Sequence, residues 1–334
     1  MTDLVIYPLK SGAGLSLHKA ELTARGLRWD RCWCVVDADG FVQDQRIRPM
    51  LSMVAPRIEG GDTLVLHAPA ETALPPLRLP LDEEAYTDRG GDVVSDRHDH
   101  KWYGKPLRAR YAGDAAAEWV TAFCAYYDRL WAAPNGAPPR HLPLAIMRYA
   151  SNADRMIAEA FKGKSALAKL ARRLGPIPPT AAFADCAPLH LVSHDSLAEL
   201  NRRLAERGHD TIAIDRFRAN IICGRGAPRT ESRQIQAHME DSWHEFSIGD
   251  ARLTKLGDTA RCVIPTTNQQ TGWRHDDGEP RETLLTYRPM PYGDGPHGGP
   301  TFGTWVVPHL QTGQVVVLEV GMPINCQTLV AAAM

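Results

Sequence analysis

This chain predicts a β-rich α+β fold, a β-barrel or twisted sheet with helices at its periphery. Two observations carry that expectation. Short β-branched and aromatic runs recur along the 334 residues with glycine and aspartate turns between them. Helical spacing of apolar residues is confined to a few stretches. The length allows two or three domains and a sizeable core.

Residues 1–110 read as strands. Leu4-Val5-Ile6-Tyr7 is one, and Trp33-Cys34-Val35-Val36 another. Asp37-Ala38-Asp39-Gly40 supplies turn chemistry before Phe41-Val42, which predicts a hairpin. Residues 63–68 form a further strand after Gly60-Gly61-Asp62. The three prolines within 74–81 predict an edge or a loop. A helix opens at Asp114, a candidate N-cap, and buries Trp119 and Phe123 four residues apart. Residues 134–139 mark a linker. Residues 149–174 are helix-prone, with Leu167, Leu170 and Leu174 on one stripe and Lys162, Lys164, Lys169, Arg172 and Arg173 giving charge.

Further on, Leu189-His190-Leu191-Val192 is strand-like, and Ser193 is placed to cap a helix carrying Leu197, Leu200 and Leu204. Strands are expected over 212–222, 245–248, 251–256, 262–267, 304–307 and 314–320, with a glycine-rich loop over 293–303. No repeat of 20–50 residues is visible.

Hydrophobic residues make up 44% and charged residues 23%, ordinary for a globular protein. A formal net charge of −1 argues against a nucleic acid polymer as partner. No apolar run approaches the roughly 18–20 residues that cross a bilayer, so no membrane association is expected. Asp3 and the Tyr7-Pro8-Leu9-Lys10 run interrupt any signal-peptide pattern, and the expectation is a cytoplasmic protein.

Seven cysteines at positions 32, 34, 124, 186, 223, 262 and 326 have no disulfide-framework spacing and no CxxC pair. Most read as buried structural thiols. Cys262 differs. It lies in Thr259-Ala260-Arg261-Cys262-Val263-Ile264, a thiol at a strand end beside a cation that favours the thiolate. A thiolate serves as nucleophile or as metal ligand, and Cys262 is open to both. The Asp96-Arg97-His98-Asp99-His100 run packs metal-capable groups but lacks further ligands at helical spacing; it reads as a solvated loop.

Tyr7-Pro8-Leu9-Lys10-Ser11, Asp30-Arg31-Cys32-Trp33, Phe217-Arg218-Ala219-Asn220-Ile221, Asp241-Ser242-Trp243, Ile248-Gly249-Asp250 and Arg261-Cys262 recur together in one family. From Leu4 to Gly321 the chain resembles proteins with an N-terminal MOSC β-barrel domain followed by a MOSC domain. That family includes the mitochondrial amidoxime-reducing component and bacterial N-hydroxylaminopurine reductases. The resemblance implies an N-terminal barrel-like domain over 1–133, a helical linker region over 134–180 and a MOSC β-barrel domain over 181–334. It implies a molybdenum cofactor, with Cys262 as metal ligand and catalytic residue. Lys10, Ser11, Arg31, Arg218, Asn220 and Arg261 would be contacts of the pyranopterin and its phosphate, a set of donors suited to an anion. Trp305 stands where the family has tyrosine in Phe-Gly-x-Tyr, and is placed with the cofactor-binding positions.

Departures from the family pattern cluster at the pocket wall. Ala219 replaces a proline, Thr259-Ala260 a Cys-Ser pair, Cys186-Ala187 a Thr-Ser pair and Asn268 an aspartate, and Pro265 interrupts the run after the cysteine. The activity implied is reduction of small N-hydroxylated compounds. With no ferredoxin-type cysteine set and no dinucleotide fingerprint, electrons are expected from an external donor, a ferredoxin or a flavin reductase. Two other readings compete: a persulfide sulfur carrier using Cys262 as nucleophile, and a cofactor-binding module without turnover. The 162–173 stretch is either a docking face for an acidic electron-transfer partner or a solvated helix face.

Overall fold

The computed structural model describes residues 1–87, 93–95, 107–132, 143–150, 181–224, 236–274, 276–289 and 299–329. The runs at 96–100, 134–139 and 162–173, the stripe of Leu167, Leu170 and Leu174, and most of the loop at 293–303 lie outside them.

Strands β1 (Asp3–Ile6), β2 (Leu15–Leu17), β3 (Lys19–Thr23), β4 (Gly26–Leu27) and β5 (Trp33–Asp37) open the chain. They are followed by β6 (Ala55–Glu59), β7 (Thr63–His67), β8 (Leu77–Pro80), β9 (Val93–Val94) and β10 (Leu107–Tyr111). Helix α1 (Asp114–Ala132) and strand β11 (Leu144–Tyr149) come next, and then β12 (Leu189–Ser193), α2 (His194–Glu206) and β13 (Ile221–Cys223). The chain continues through β14 (Trp243–Ile248), β15 (Ala251–Ala260) and α3 (Arg281–Tyr287), and closes on β16 (Thr301–Pro308), β17 (Val316–Glu319) and β18 (Ile324–Leu329).

The fold is the expected β-rich α+β architecture. An eight-stranded half-barrel runs β18-β14-β15-β16-β12-β13-β1-β2, antiparallel except where β12 lies parallel to β13. The N-terminal strands β1 and β2 thus complete a sheet whose other strands come from beyond residue 188. Strand β17 returns the exchange by pairing with β3 in a small sheet with β4. The first half keeps two sheets of its own, β5-β11-β10-β9 and β6-β7-β8. The proline-bearing β8 lies at an edge, where a missing N–H breaks no ladder.

Helix α1 packs Trp119, Val120 and Phe123 onto Leu9, Trp33, Leu51 and Ile146. Complete burial of a side chain such as Phe123 contributes about 1.5–3 kcal/mol. Ser193 caps α2 as its spacing predicts, its Oγ accepting from Ser196 N at 3.1 Å. Leu200 and Leu204 are then buried against Val192, Phe217 and Phe302.

Five expectations need correction. Gly113 takes the cap position of α1, since Ala117 N donates to its carbonyl; Asp114 is the first helical residue and accepts from the Tyr111 hydroxyl. Tyr149 ends strand β11 instead of opening a helix, because Leu144–Tyr149 fills the place between β5 and β10. Residues 212–222 are not one strand: a 3-10 turn at Ile214–Phe217 and the left-handed Arg218 precede the short β13. Residues 262–267 are likewise no strand. Pro265 removes a ladder donor and sits in a 3-10 turn at Ile264–Thr266, leaving Cys262 in the loop just past β15. Gly303, placed in the glycine-rich loop, lies inside β16.

Candidate functional site

Cys262 leaves β15 half-buried, and its partner is a residue the sequence reading missed. Arg46 Nη2 donates to Cys262 Sγ at 3.1 Å. Arg46 is itself fixed by Asp44 through Nη1 and lies 3.6 Å from Asp185 Oδ2. Burial works against the charge of Arg46, yet Cys262, Asp44 and Asp185 outweigh it and raise its pKa. Arg46 belongs to Gln43-Asp44-Gln45-Arg46-Ile47-Arg48, where Gln43, Asp44, Gln45 and Arg48 are all buried. A polar run between apolar neighbours was the signal that would have found it.

Asp185 also pairs with Lys10, whose Nζ donates to Phe183 O at 2.8 Å. Ser11, with φ +72°, accepts from Gln45 N through Oγ at 3.0 Å. Its carbonyl accepts from Gln45 Nε2 at 2.9 Å. Gln45 then meets Gln269 in a reciprocal amide pair at 2.9 and 3.1 Å, 224 residues apart in sequence. Gln269 Oε1 accepts in turn from Arg218 Nη1 at 3.2 Å.

Arg218 and Arg31 lie over the same Tyr7 ring, at 4.3 and 4.5 Å from its centroid, each a cation–π contact. Arg31 Nη1 donates to Asp30 Oδ2 at 2.5 Å and to Asn220 Oδ1 at 2.9 Å, and its Nη2 donates to Arg218 O at 2.9 Å. Asn220 is buried and donates to Val5 O. Burial raises the Asp30 carboxyl despite the neighbouring Arg31, and lowers Arg218 to about 10. Arg261 is also lowered to about 10 by burial, Cys262 opposing that and Arg46 reinforcing it. Arg261 Nη2 donates to Phe217 O at 2.8 Å.

Ser11, Arg31 and Arg218 all have left-handed backbone, at φ +72°, +48° and +55°. Each costs on the order of 1–3 kcal/mol in a residue with a Cβ, a strain that concentrates where geometry serves function. Trp305 packs on Ala181, Ala184, Ala187, Leu256 and Val307, a cluster whose alanines flank Asp185.

Five cationic side chains (Lys10, Arg31, Arg46, Arg218 and Arg261) therefore meet three carboxylates (Asp30, Asp44 and Asp185). Positive charge is left over, and two buried guanidinium nitrogens, Arg218 Nη2 and Arg261 Nε, have no hydrogen-bond partner among the described residues. A buried N–H without an acceptor costs about 1–3 kcal/mol, so the cradle is incomplete as it stands and suits an anion. A sulfur at its edge suits a soft or high-valent metal. These donors fit a phosphorylated cofactor bearing a thiolate-bound metal. No group of three or more His, Cys, Asp or Glu able to hold a metal ion occurs among the described residues.

Comparison with known proteins gives the same direction. The MOSC N-terminal beta barrel domain matches residues 1–126 and the MOSC domain residues 178–325. The chain is 30% identical over 293 residues to mitochondrial amidoxime reducing component 2 of Rattus norvegicus, covering 85% of this chain and 70% of that protein. Over 295 residues it is 28% identical to mitochondrial amidoxime-reducing component 1 of Homo sapiens, covering 86% and 72%. Molybdenum cofactor sulfurase of Arabidopsis thaliana is 26% identical over 294 residues, 86% of this chain but 31% of that protein. With both domains matched and this likeness along most of its length, the chain belongs to the family of MOSC proteins with an N-terminal MOSC β-barrel domain, the family of the mitochondrial amidoxime-reducing components.

Proposed function

We propose that this protein is a molybdenum-cofactor-dependent reductase that removes oxygen from small N-hydroxylated compounds, with electrons from a separate donor. The observation that carries the reading is the cationic cradle with two unpartnered guanidinium nitrogens beside the half-buried Cys262 sulfur. The names of the relatives, amidoxime reduction and molybdenum cofactor among them, support it.

Cys262 would be the metal ligand, its negative charge balanced by Arg46. Arg218 and Arg261 would complete their hydrogen bonding on the cofactor phosphate, where guanidinium N–H groups make strong charge-assisted contacts. Arg31 and Asn220 hold Arg218 in place through its carbonyl and the Tyr7 stack, Ser11 fixes the loop carrying Gln45 and Arg46, and Lys10 holds the segment carrying Phe183 and Asp185. Trp305 would act through the alanines that flank Asp185, as a wall. The cofactor supplies the two-electron oxygen-atom chemistry, and the protein orients it and limits access. In net terms an N–OH group, two electrons and two protons become N–H and water.

Two electrons must enter from outside, and a ferredoxin or flavin reductase is the proposed class of donor. NADH or NADPH alone should give no turnover with an amidoxime or a hydroxylamine, whereas reduced viologen should start it. Among the described residues no helix is long and apolar enough to cross a membrane. A cytoplasmic location is part of the proposal: all seven cysteines are free thiols, as a reducing compartment keeps them. The division at 1–133, 134–180 and 181–334 is proposed as well. Proteolytic nicking within 151–180 should leave both halves associated, because β1–β13 and β3–β17 pairing joins them.

The deciding experiment is the molybdenum and pterin content of the purified protein. Near-stoichiometric loading with viologen-dependent formation of amine or amidine is expected. Metal-free protein carrying sulfane sulfur on Cys262 would replace this reading with that of a persulfide carrier.

A further inference from the structure

His190 has no role in the reading above, yet it is wired into the site at four points. It lies in β12, 7% exposed, and is paired across the sheet with Trp305. Its backbone N donates to Asn220 Oδ1 at 3.2 Å, and its carbonyl accepts from Asn220 N at 2.8 Å. Its ring places Nδ1 3.1 Å from Phe217 O and Nε2 3.5 Å from Arg261 Nη1, with Phe302 O at 3.4 Å from Nε2. The same Phe217 carbonyl accepts from Arg261 Nη2 at 2.8 Å.

The two neighbours of Nε2 make opposite demands, since Phe302 O at 3.4 Å can only accept and Arg261 Nη1 at 3.5 Å can only donate. The shortest ring contact decides: Phe217 O, 3.1 Å from Nδ1, can only accept, so a neutral ring is assigned its hydrogen on Nδ1 and its lone pair on Nε2, and Phe302 O is a neighbour rather than a partner. Imidazole, carbonyl and guanidinium then close a ring of three hydrogen bonds. Burial, with the Arg261 charge second, holds His190 well below the usual histidine range and keeps it neutral. Room for the ring is made by Gly303, at φ +72°, where a Cβ would stand 2.5 Å from Nε2. Both terminal nitrogens of Arg261 are thereby engaged, and Nε is the one left without a partner among the described residues.

We propose that His190 is a positioning residue, a neutral imidazole that orients the Arg261 guanidinium so that its free N–H serves an anionic ligand beside Cys262. The inference rests on reading the cradle as an anion site. A histidine that merely filled the core would act on stability and not through Arg261, and a double-mutant cycle separates the two.

The test uses the full chain in two assays: calorimetric binding of inorganic pyrophosphate to cofactor-stripped protein, and pterin retained per chain after dialysis of protein as purified. His190→Leu, similar in size but without an acceptor, should weaken pyrophosphate binding about tenfold. His190→Gln, which keeps an acceptor, should stay within about threefold of wild type. In an Arg261→Ala background, His190→Leu should change neither assay further. Wild-type affinity in His190→Leu would overturn the proposal, as would a tenfold loss that persists in the Arg261→Ala background. A wild-type protein that binds no pyrophosphate and holds no pterin would instead remove the anion-site reading itself, and this inference with it.

Discussion

Replacing Gln269 by leucine should destabilise the protein by about 2–4 kcal/mol, and the same change at Gln45 should then be partly forgiven. Gln269 is buried and makes four hydrogen bonds: two donated by Nε2 to Gln45 Oε1 and Thr267 O, and two accepted by Oε1 from Gln45 and Arg218. In Gln269→Leu the Gln45 Nε2 keeps Ser11 O, but Gln45 Oε1 loses the partner just named. Thr267 O also loses a donor. Each buried polar group left unpaired costs about 1–3 kcal/mol, and burying the leucine returns about 1–2. Removing both amides takes away the mismatch, since apolar groups in place of both partners can be nearly neutral. Urea unfolding of both single variants and the double variant should therefore show a coupling of at least about 1.5 kcal/mol at constant slope. Additivity within about 0.5 kcal/mol would refute the reasoning, because it would mean the two amides are not exchanging their bonds.

Cys262→Ala should abolish turnover and molybdenum binding with little loss of stability, while Cys326→Ser, at an exposed position, should load metal as wild type does; metal analysis and viologen assays read both. Arg31→Ala and Arg218→Ala should each lower pterin retained after dialysis by at least about tenfold, as losing a hydrogen bond to a charged group costs about 1.5–3 kcal/mol; full retention in both would remove them from the anchor. Burial pushes Tyr7 up from an ordinary 10.0 to about 12. The unfolded chain releases that proton first, so stability is intact below pH 10 and falls as pH rises toward about 12. Tyr7→Phe should flatten the alkaline slope of unfolding free energy by up to one proton.

Local chemistry was legible in the sequence. Ser193 before an apolar helical stripe is enough to place the start of α2, and short apolar runs bounded by turn residues place β1, β5 and β7. Cys262 stands out less by its arginine neighbour, which Cys32 also has, than by the surrounding motifs that identify its family. What spacing does not carry is the partner found only by folding. Arg261 precedes the thiol in sequence, yet the guanidinium on the sulfur belongs to Arg46, 216 residues away. Asp185 and His190 also reach the site from far along the chain, and neither stands in a run that announces it. The strand expected at 212–222 failed for a related reason. Its β-branched residues satisfy the pattern, but Arg218 must turn left-handed to set its side chain over Tyr7 and its carbonyl under Arg31.

That left-handed turn points to how the site is held. Of the six residues other than glycine with positive φ among the described residues, three are Ser11, Arg31 and Arg218. Strained backbone of this kind persists only where surrounding contacts over-determine it. For two of them those contacts come from the other half of the chain: Arg31 is held by Asn220, and Arg218 by Gly12 O at 2.7 Å, while Ser11 is held by Gln45 of its own half. Neither half supplies a complete cradle. Lys10, Ser11, Arg31 and Arg46 come from before β6, and Arg218, Arg261, Cys262 and Gln269 from after α2. The crossing of β1 and β2 into the C-terminal sheet is what makes them meet, since it fixes Tyr7, and with it the loop to Ser11, against the strand that ends at Cys223. On the proposed reading, docking of the two halves would form the anion site, and a substitution that loosens β1 from β13 should cost cofactor retention before it costs secondary structure.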